Sequence, residues 1–328
     1  MIDRRKLLSG ATAGILMGTI EAPAAQSAYP SRPLKLVIPS SPGGVHDIIG
    51  RLWADKLQQS LGSIHAENKA GAGSIIGAVE VARSQPDGYT LLLGSNTTHV
   101  LQPLQTPNVA YHPVNDFEVA TIFATTSLAL LVGPSMDVKT VPALIARAKE
   151  QPGKLSYAHA GVGTSTHVTA ELFRRVGGDL DIVPVPYRGM GPATLDVLAG
   201  RVDLMFANIT AQVVEFHTSN RMRMIAVTSP QRIELTPEIP TIIEQGLSGF
   251  ASQSFFGIYA PRRTPAAIID HINATTQAAL ADQTFESRLL KAGYESLKGL
   301  SPAQSKSYMQ DEIDKWRPIM AAIDQKVD

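Results

Sequence analysis

Two stretches share one design: Leu34-Lys-Leu-Val-Ile-Pro-Ser-Ser-Pro-Gly-Gly-Val-His-Asp47 and Leu155-Ser-Tyr-Ala-His-Ala-Gly-Val-Gly-Thr-Ser-Thr-His167. Each opens on a short apolar run that reads as a buried strand and then passes through a loop of small residues. After the first loop Ile48, Ile49, Leu52, Trp53, Leu57 and Leu61 recur at helical spacing; after the second, Val168, Leu172, Phe173 and Val176 do. A strand, a small-residue loop and a helix start in succession expose backbone N–H groups at the positive end of a helix dipole, which makes an anion cradle. Two cradles predict one ligand gripped from both sides through carboxylate groups.

The flanking chain has the same rhythm. Strands are predicted at Tyr89–Leu93, Leu128–Val132, Asp203–Phe206, Met224–Thr228 and Phe255–Tyr259, with helices over Val141–Lys149, Ala193–Leu198, Pro265–Ala281, Thr284–Ala292 and Pro302–Ile323. Val183-Pro-Val-Pro-Tyr187 reads as an edge strand because its prolines cannot donate to a ladder. Alternation of this kind predicts an α/β fold with mainly parallel strands. The second cradle sits in a middle block with its own strands and helices, so the expected division is a discontinuous lobe 1 over 29–124 with 253–328, and lobe 2 over 125–252. Two crossing strands, near Thr121–Leu131 and Ser252–Tyr259, would form the hinge.

Residues 1–28 read as an export leader: positive Met1-Ile-Asp-Arg-Arg-Lys6, an apolar stretch from Leu7 to Ile20, and small residues at Ala22-Pro-Ala24. Arg4-Arg5 before Lys6-Leu7-Leu8 is similar to a twin-arginine signal, with Asp3 where Ser or Thr is usual; a Sec signal is the alternative. The apolar run is too short to span a bilayer.

The 328 residues carry 29 basic and 29 acidic side chains, and that balance argues against nucleic acid as a partner. The absence of cysteine excludes disulfides, thiolate metal sites and a cysteine nucleophile. The eight histidines form no His-x-x-x-His pair, there is no Gly-x-Ser-x-Gly elbow, and neither a metal nor a catalytic set is expected. Gly71-Ala-Gly-Ser-Ile-Ile-Gly77 is similar to a dinucleotide fingerprint, but it follows polar Glu67-Asn-Lys-Ala70 and its third glycine is one place late. A turn and helix start is the reading preferred, and no cofactor is expected. A nucleotide-dependent oxidoreductase is the enzymatic alternative.

In the first loop Ser40 and Ser41 offer hydroxyls, Gly43 and Gly44 allow close backbone approach, and Asp47 falls in the first helical turn. The second offers Gly161 and Gly163 with Thr164, Ser165, Thr166 and His167. Neither contains Lys or Arg, so an anion there would be held by N–H groups, hydroxyls and water. Each loop also has a purely structural reading, with Asp47 complementing a dipole and Thr164 or Ser165 capping a helix.

The first loop, Ser41-Pro-Gly-Gly-Val-His-Asp47, is followed by Glu67-Asn-Lys-Ala-Gly-Ala-Gly73, Gln85-Pro-Asp-Gly-Tyr-Thr-Leu-Leu92 and the second loop. Pro186-Tyr-Arg-Gly189, Leu198-Ala-Gly-Arg-Val-Asp-Leu-Met-Phe206, Thr228-Ser-Pro-Gln-Arg232, Ile239-Pro-Thr241 and Phe256-Gly-Ile-Tyr-Ala-Pro261 come next. In that order the motifs resemble the Bug, or TctC-type, substrate-binding proteins of tripartite tricarboxylate transporters, from about Tyr29 to Trp316. The resemblance implies a type II-like, two-lobed periplasmic binding protein, each lobe a sheet flanked by helices, closing on a small mono- or dicarboxylate. It implies a soluble periplasmic monomer without catalytic activity that serves integral membrane transporter subunits. A ligand-presenting sensor for a membrane receptor kinase is the alternative.

Carried over residue by residue, the resemblance gives Ser40, Ser41, Gly43, Gly44, Val45 and Asp47 from the first loop. It gives Ala160, Gly161, Gly163, Thr164, Thr166 and His167 from the second, with Asn96, Thr97, Asp203 and Asn208 as cleft-wall candidates. Lys69-Ala70 departs from the family's Arg-Pro. Gly50 replaces a common Ala, at a cost of roughly 1 kcal/mol to its helix unless packing requires it.

Overall fold

The structure, a computed structural model, describes residues 29–106 and 108–324; the leader expected over 1–28 lies outside them. The buried run β1 (Leu34–Ile38) leads into α1 (Val45–Leu61), which buries Ile49, Trp53, Leu57 and Leu61 as its periodicity requires. Next come β2 (Ile64–Asn68), a 3₁₀ turn at Ala72–Ser74, α2 (Ile75–Ala82) and β3 (Thr90–Ser95). A π-helical turn at Thr97–Leu101 joins α3 (Gln102–Gln105), and β4 (Phe117–Val132) follows. The middle block holds α4 (Val141–Glu150), β5 (Ser156–His159), α5 (Ser165–Val176), β6 (Val183–Pro186), α6 (Met190–Leu198), β7 (Leu204–Asn208), α7 (Ala211–Thr218) and β8 (Arg223–Val227). The chain returns through β9 (Gln253–Pro261), α8 (Ala266–Leu280), α9 (Gln283–Lys291), β10 (Glu295–Ser296) and α10 (Pro302–Asp324).

The strands run in the order β2-β1-β3-β9-β4-β7-β5-β6, with β8 and β10 also on β4. β1 pairs in parallel with β2 and β3, and β5 in parallel with β6 and β7; β4 and β9 are antiparallel to their neighbours. β4 belongs to both lobes. Residues Phe117–Ser127 pair with β9, and Leu128–Val132 pair with β7 and β8. At that change of partner the Leu128 N–H donates to Thr228 Oγ1 (2.9 Å), and Thr228 Oγ1 donates to the Ser252 carbonyl (2.6 Å). Both crossings are thus tied at one point.

Two features depart from the sequence reading. Ile64–Asn68, whose end was read as part of the polar Glu67-Asn-Lys-Ala70, is an edge strand with no buried residue, so it carries no apolar run to mark it. Its glycine-bearing continuation is the turn and helix start expected: Ala72, Gly73 and Ser74 are all left-handed, and a Cβ on Gly77 would meet Pro39 Cβ at 2.9 Å. The π-helical turn was not anticipated, because it carries no pattern of its own. Thr98 and His99 there are fully buried.

Packing requires the glycine at position 50. A Cβ would come within 2.8 Å of Ile38 Cδ1 and 3.0 Å of Leu93 Cδ2, so α1 lies on the sheet more closely than alanine allows. Gly50→Ala is therefore expected to forfeit the ~1 kcal/mol of helix propensity it should gain and to destabilise the protein by about 1–3 kcal/mol. Urea unfolding of the two proteins measures the sign.

Candidate functional site

The parallel strands β1, β3, β5 and β7 point their carboxyl ends to the same place, where open α/β sheets hold ligands. β1 delivers Ser40 and Ser41, β3 delivers Ser95 and Thr97, β5 leads to the second loop, and β7 ends on Asn208. They enclose an inner chamber of about 250 Å³. Its walls are Ser40, Ser41, Pro42, Gly44, Val45 and His46 on one side; Thr97, Ser254 and Phe256 form the floor, and Ser165 and Asn208 face them from the other lobe. Pro42, Gly44, Val45 and Asn208 also border an outer cavity of about 850 Å³, where Ile48, Leu195, Phe216 and Arg221 lie.

The first loop is organised by a carboxylate that it faces inward. Asp47 Oδ2 accepts from the Gly43 N–H (2.8 Å), and Oδ1 accepts from Arg51 Nε (2.8 Å) and Asn68 Nδ2 (2.9 Å). Asn68 Nδ2 also donates to the Ser40 carbonyl (3.1 Å), so β2 secures both ends of the loop. Burial opposes ionisation of Asp47, but the bonds from Gly43 and Asn68 and the Arg51 charge together outweigh it and hold the carboxyl below its usual range. Asp47 was carried over as a ligand residue, with holding the loop's own N–H groups as the alternative, and its oxygens are engaged by Gly43, Arg51 and Asn68. Gly43, at φ +79°, supplies the left-handed corner and borders the outer cavity.

With Asp47 so engaged, nothing caps α1. Gly44 contributes no side chain, and among the described residues the Val45, His46 and Asp47 N–H groups have no acceptor. His46 projects into the chamber wall, its Nε2 2.8 Å from Ser95 Oγ and its ring edge-on to Phe256 at 5.2 Å. Burial pushes its imidazole down to about 4, so the ring is neutral. Sequence reasoning left Ser95, Ser254 and Phe256 outside the site and gave His46 two readings, tuning ligand choice or facing solvent. The two-residue spacing of Ser254 and Phe256, which puts them on one face of β9, was the signal available.

The second loop spends more of its groups on itself. The Ala160 N–H donates to Thr166 Oγ1 (3.0 Å), the Gly163 N–H to His167 Nδ1 (3.3 Å), and Thr164 Oγ1 to the Gly161 carbonyl (2.7 Å). His167 lies 4.5 Å from the His159 ring, and desolvation followed by that neighbour pushes it down to about 4. Ala160, Gly161, Gly163, Thr164, Thr166 and His167, all expected at the ligand, thus shape the loop, and Ser165 is the residue that reaches the chamber. The N–H groups of Ser165 and Thr166 have no acceptor among the described residues. Gly163 also lets the lobes approach each other, since a Cβ there would sit 1.7 Å from Gln105 Oε1, across the cleft on α3.

Of the cleft-wall candidates, Thr97 and Asn208 line the chamber. Asn96 is buried beside it, and its Oδ1 has no partner. Asp203, a cleft-wall candidate that could equally be a structural partner, is not at the chamber: it accepts from the Ser156 N–H (2.8 Å) and hydroxyl (2.9 Å), at the amino ends of β5 and β7, the far end of the sheet from the chamber. It ties two strand starts together.

Asp47→Ala releases Gly43, Arg51 and Asn68 at once; a loss of about 1–3 kcal/mol is expected in urea unfolding, with no change in secondary structure by circular dichroism. The histidines set the acid limit. His46, His99 and His167 are each held neutral by burial, at about 4, 3 and 4. The unfolded chain takes up their protons first, near 6.5, so stability is level above pH 7 and falls as pH drops from about 6.5 toward 4. Fully buried His99 contributes a slope of up to ~1.4 kcal/mol per pH unit in that window. Thermal unfolding across pH 4.5–8, with His46→Gln showing a shallower fall, checks the sign.

Residues 49–325 match the family described as "Tripartite tricarboxylate transporter family receptor" (TctC). Protein BugT of Bordetella pertussis is 33% identical over 315 residues, covering 94% of this chain and 95% of that protein. A solved Rhodopseudomonas palustris structure with adipate is 32% identical at a TM-score of 0.81, covering 89% of this chain and 97% of that one. MatC of Rhodopseudomonas palustris, with bound malate, is 29% identical at a TM-score of 0.79, covering 89% and 100%.

Proposed function

The chain belongs to the tripartite tricarboxylate transporter receptor family, and on that footing we propose that it captures a small mono- or dicarboxylate in the inner chamber and delivers it to integral membrane subunits. One observation carries this reading: two helix starts, α1 and α5, bring unpaired N–H groups to a single chamber with no cationic side chain in its wall. Each charge-assisted hydrogen bond contributes about 1.5–3 kcal/mol, so four or five support micromolar binding after the cost of association. Adipate and malate in the Rhodopseudomonas palustris structures support a carboxylate of that size. The proposal places the protein in the periplasm as a monomer, exported by the leader at residues 1–28. Among the described residues no helix is long and apolar enough to cross a membrane.

Closure follows from the geometry. The first loop and Ser165 come from opposite lobes, so a ligand that meets both favours the closed state by the contacts it gains there. Calorimetry of the mature chain against a broad carboxylate panel tests the assignment, and silence across the panel would sink it. Two substitutions then test the mechanism. Ser165 and Val45 are the first residues of their helices, and Thr164 (ψ 159°) and Gly44 (ψ 172°) before them are extended, as a following proline requires. Ser165→Pro and Val45→Pro each delete one N–H without breaking a helix. Affinity is expected to fall roughly 10- to 150-fold in each, with the melting temperature of the free protein nearly unchanged.

A further inference from the structure

Resting on the receptor reading above, we infer that the chamber selects small carboxylates bearing a hydroxyl group, and that Asn208 is the residue that reads the hydroxyl. Charge sets the first limit. No residue lining the inner chamber carries a formal charge: Ser40, Thr97, Ser165, Asn208 and Ser254 are neutral by type, and His46 is kept neutral by burial. Asp47, the nearest acid, is committed to Gly43, Arg51 and Asn68. A carboxylate meets the unpaired amides and positive ends of α1 and α5, but an ammonium group would meet those same positive ends with no counter-charge. Acids without an amino group are the better fit.

Asn208 adds a second requirement. It stands at the end of β7 in the chamber wall, and its Oδ1 is buried with no hydrogen-bond partner. Its Nδ2 has no hydrogen-bond partner among the described residues and, unlike Oδ1, is not buried. A carboxylate accepts from the amide N–H₂ but has no proton to offer the amide oxygen. In the orientation of the structure the oxygen, and not the amide nitrogen, is the buried atom, and that is the orientation a ligand O–H would hold in place. A buried acceptor left empty when the chamber closes carries a penalty that a ligand O–H removes. Size sets the last limit: 250 Å³ corresponds to roughly eight waters at about 30 Å³ each, room for an acid of a few carbons with a little solvent.

Calorimetry with sets of acids that differ at one group tests this: malate, succinate and aspartate; lactate, propionate and alanine; citrate and tricarballylate. In at least one set the hydroxy acid is expected to bind tenfold or more tighter than its deoxy counterpart, with the amino acid no tighter than the deoxy compound. Asn208→Leu should bring that ratio within about threefold, by weakening the hydroxy acid more than its deoxy counterpart. Should the leucine variant fail to fold, the near-isosteric Asn208→Asp serves: its carboxylate should shift preference from the hydroxy acid toward the amino acid. Equal binding of hydroxy and deoxy acids in every set, or a ratio that survives both variants, overturns the inference and leaves the receptor reading intact. No heat from any acid in the wider panel overturns that reading, and this one with it.

Discussion

A helix start left without a cap is the constraint on which the site depends. Side chains usually satisfy the first N–H groups of a helix, and Asp47 stands where it could neutralise them. It turns instead to the Gly43 N–H, Arg51 and Asn68. The carboxylate thereby fixes the loop's shape without filling the space the loop encloses. Three amides of α1 remain open toward the chamber, and the fold meets their cost through a loop tied down on every other side. α5 does this by half: Thr164 caps the His167 N–H weakly, at 3.4 Å, and leaves Ser165 and Thr166 open.

Bringing the two helix starts together falls to β4 and β9. A sixteen-residue strand that pairs with β9 along one part and with β7 and β8 along the rest makes the lobes one continuous structure. Thr228 and Ser252 bind the crossings to each other, and Thr169 of α5 meets Ser252 through its hydroxyl at 2.6 Å. The helix that carries the second set of amides is thus fastened to the crossing point itself. On the far side, Gly293 accepts a bond from Thr126 Oγ1, and it lies so near the Ile209 carbonyl that a Cβ would be 1.8 Å away. Both lobes are in close contact there without any side chain between them.

Much of this was legible from the residues. Short apolar runs and 3.6-residue periodicity located the strands and helices because buried faces impose those spacings, and the small-residue loops marked the chamber because only such loops let backbone approach a ligand. Other features were hidden for physical reasons. β2 is half exposed on a sheet edge, so its residues need not be apolar. The length of β4 depends on partners far away in sequence. In the loops, chemistry could name residues able to meet an anion but could not say which were already engaged: Thr166 and His167 look identical in sequence whether they face a ligand or their own loop. His46 could be read either as tuning ligand choice or as facing solvent, since what decides its place is Ser95 and Phe256, residues 49 and 210 positions away.

The absence of formal charge from the chamber wall has a consequence for the conditions under which the protein operates. Ion pairs on a surface weaken as electrolyte is added, because mobile ions gather within a Debye length of about 8 Å. On the receptor reading proposed above, an anion in the chamber would be held by amides and hydroxyls rather than by exposed ion pairs. Its retention would then depend little on whether the surroundings are dilute or briny. The counterpart would be a lack of long reach: with no cationic side chain in the inner wall, an arriving anion would feel the positive helix ends only at close quarters.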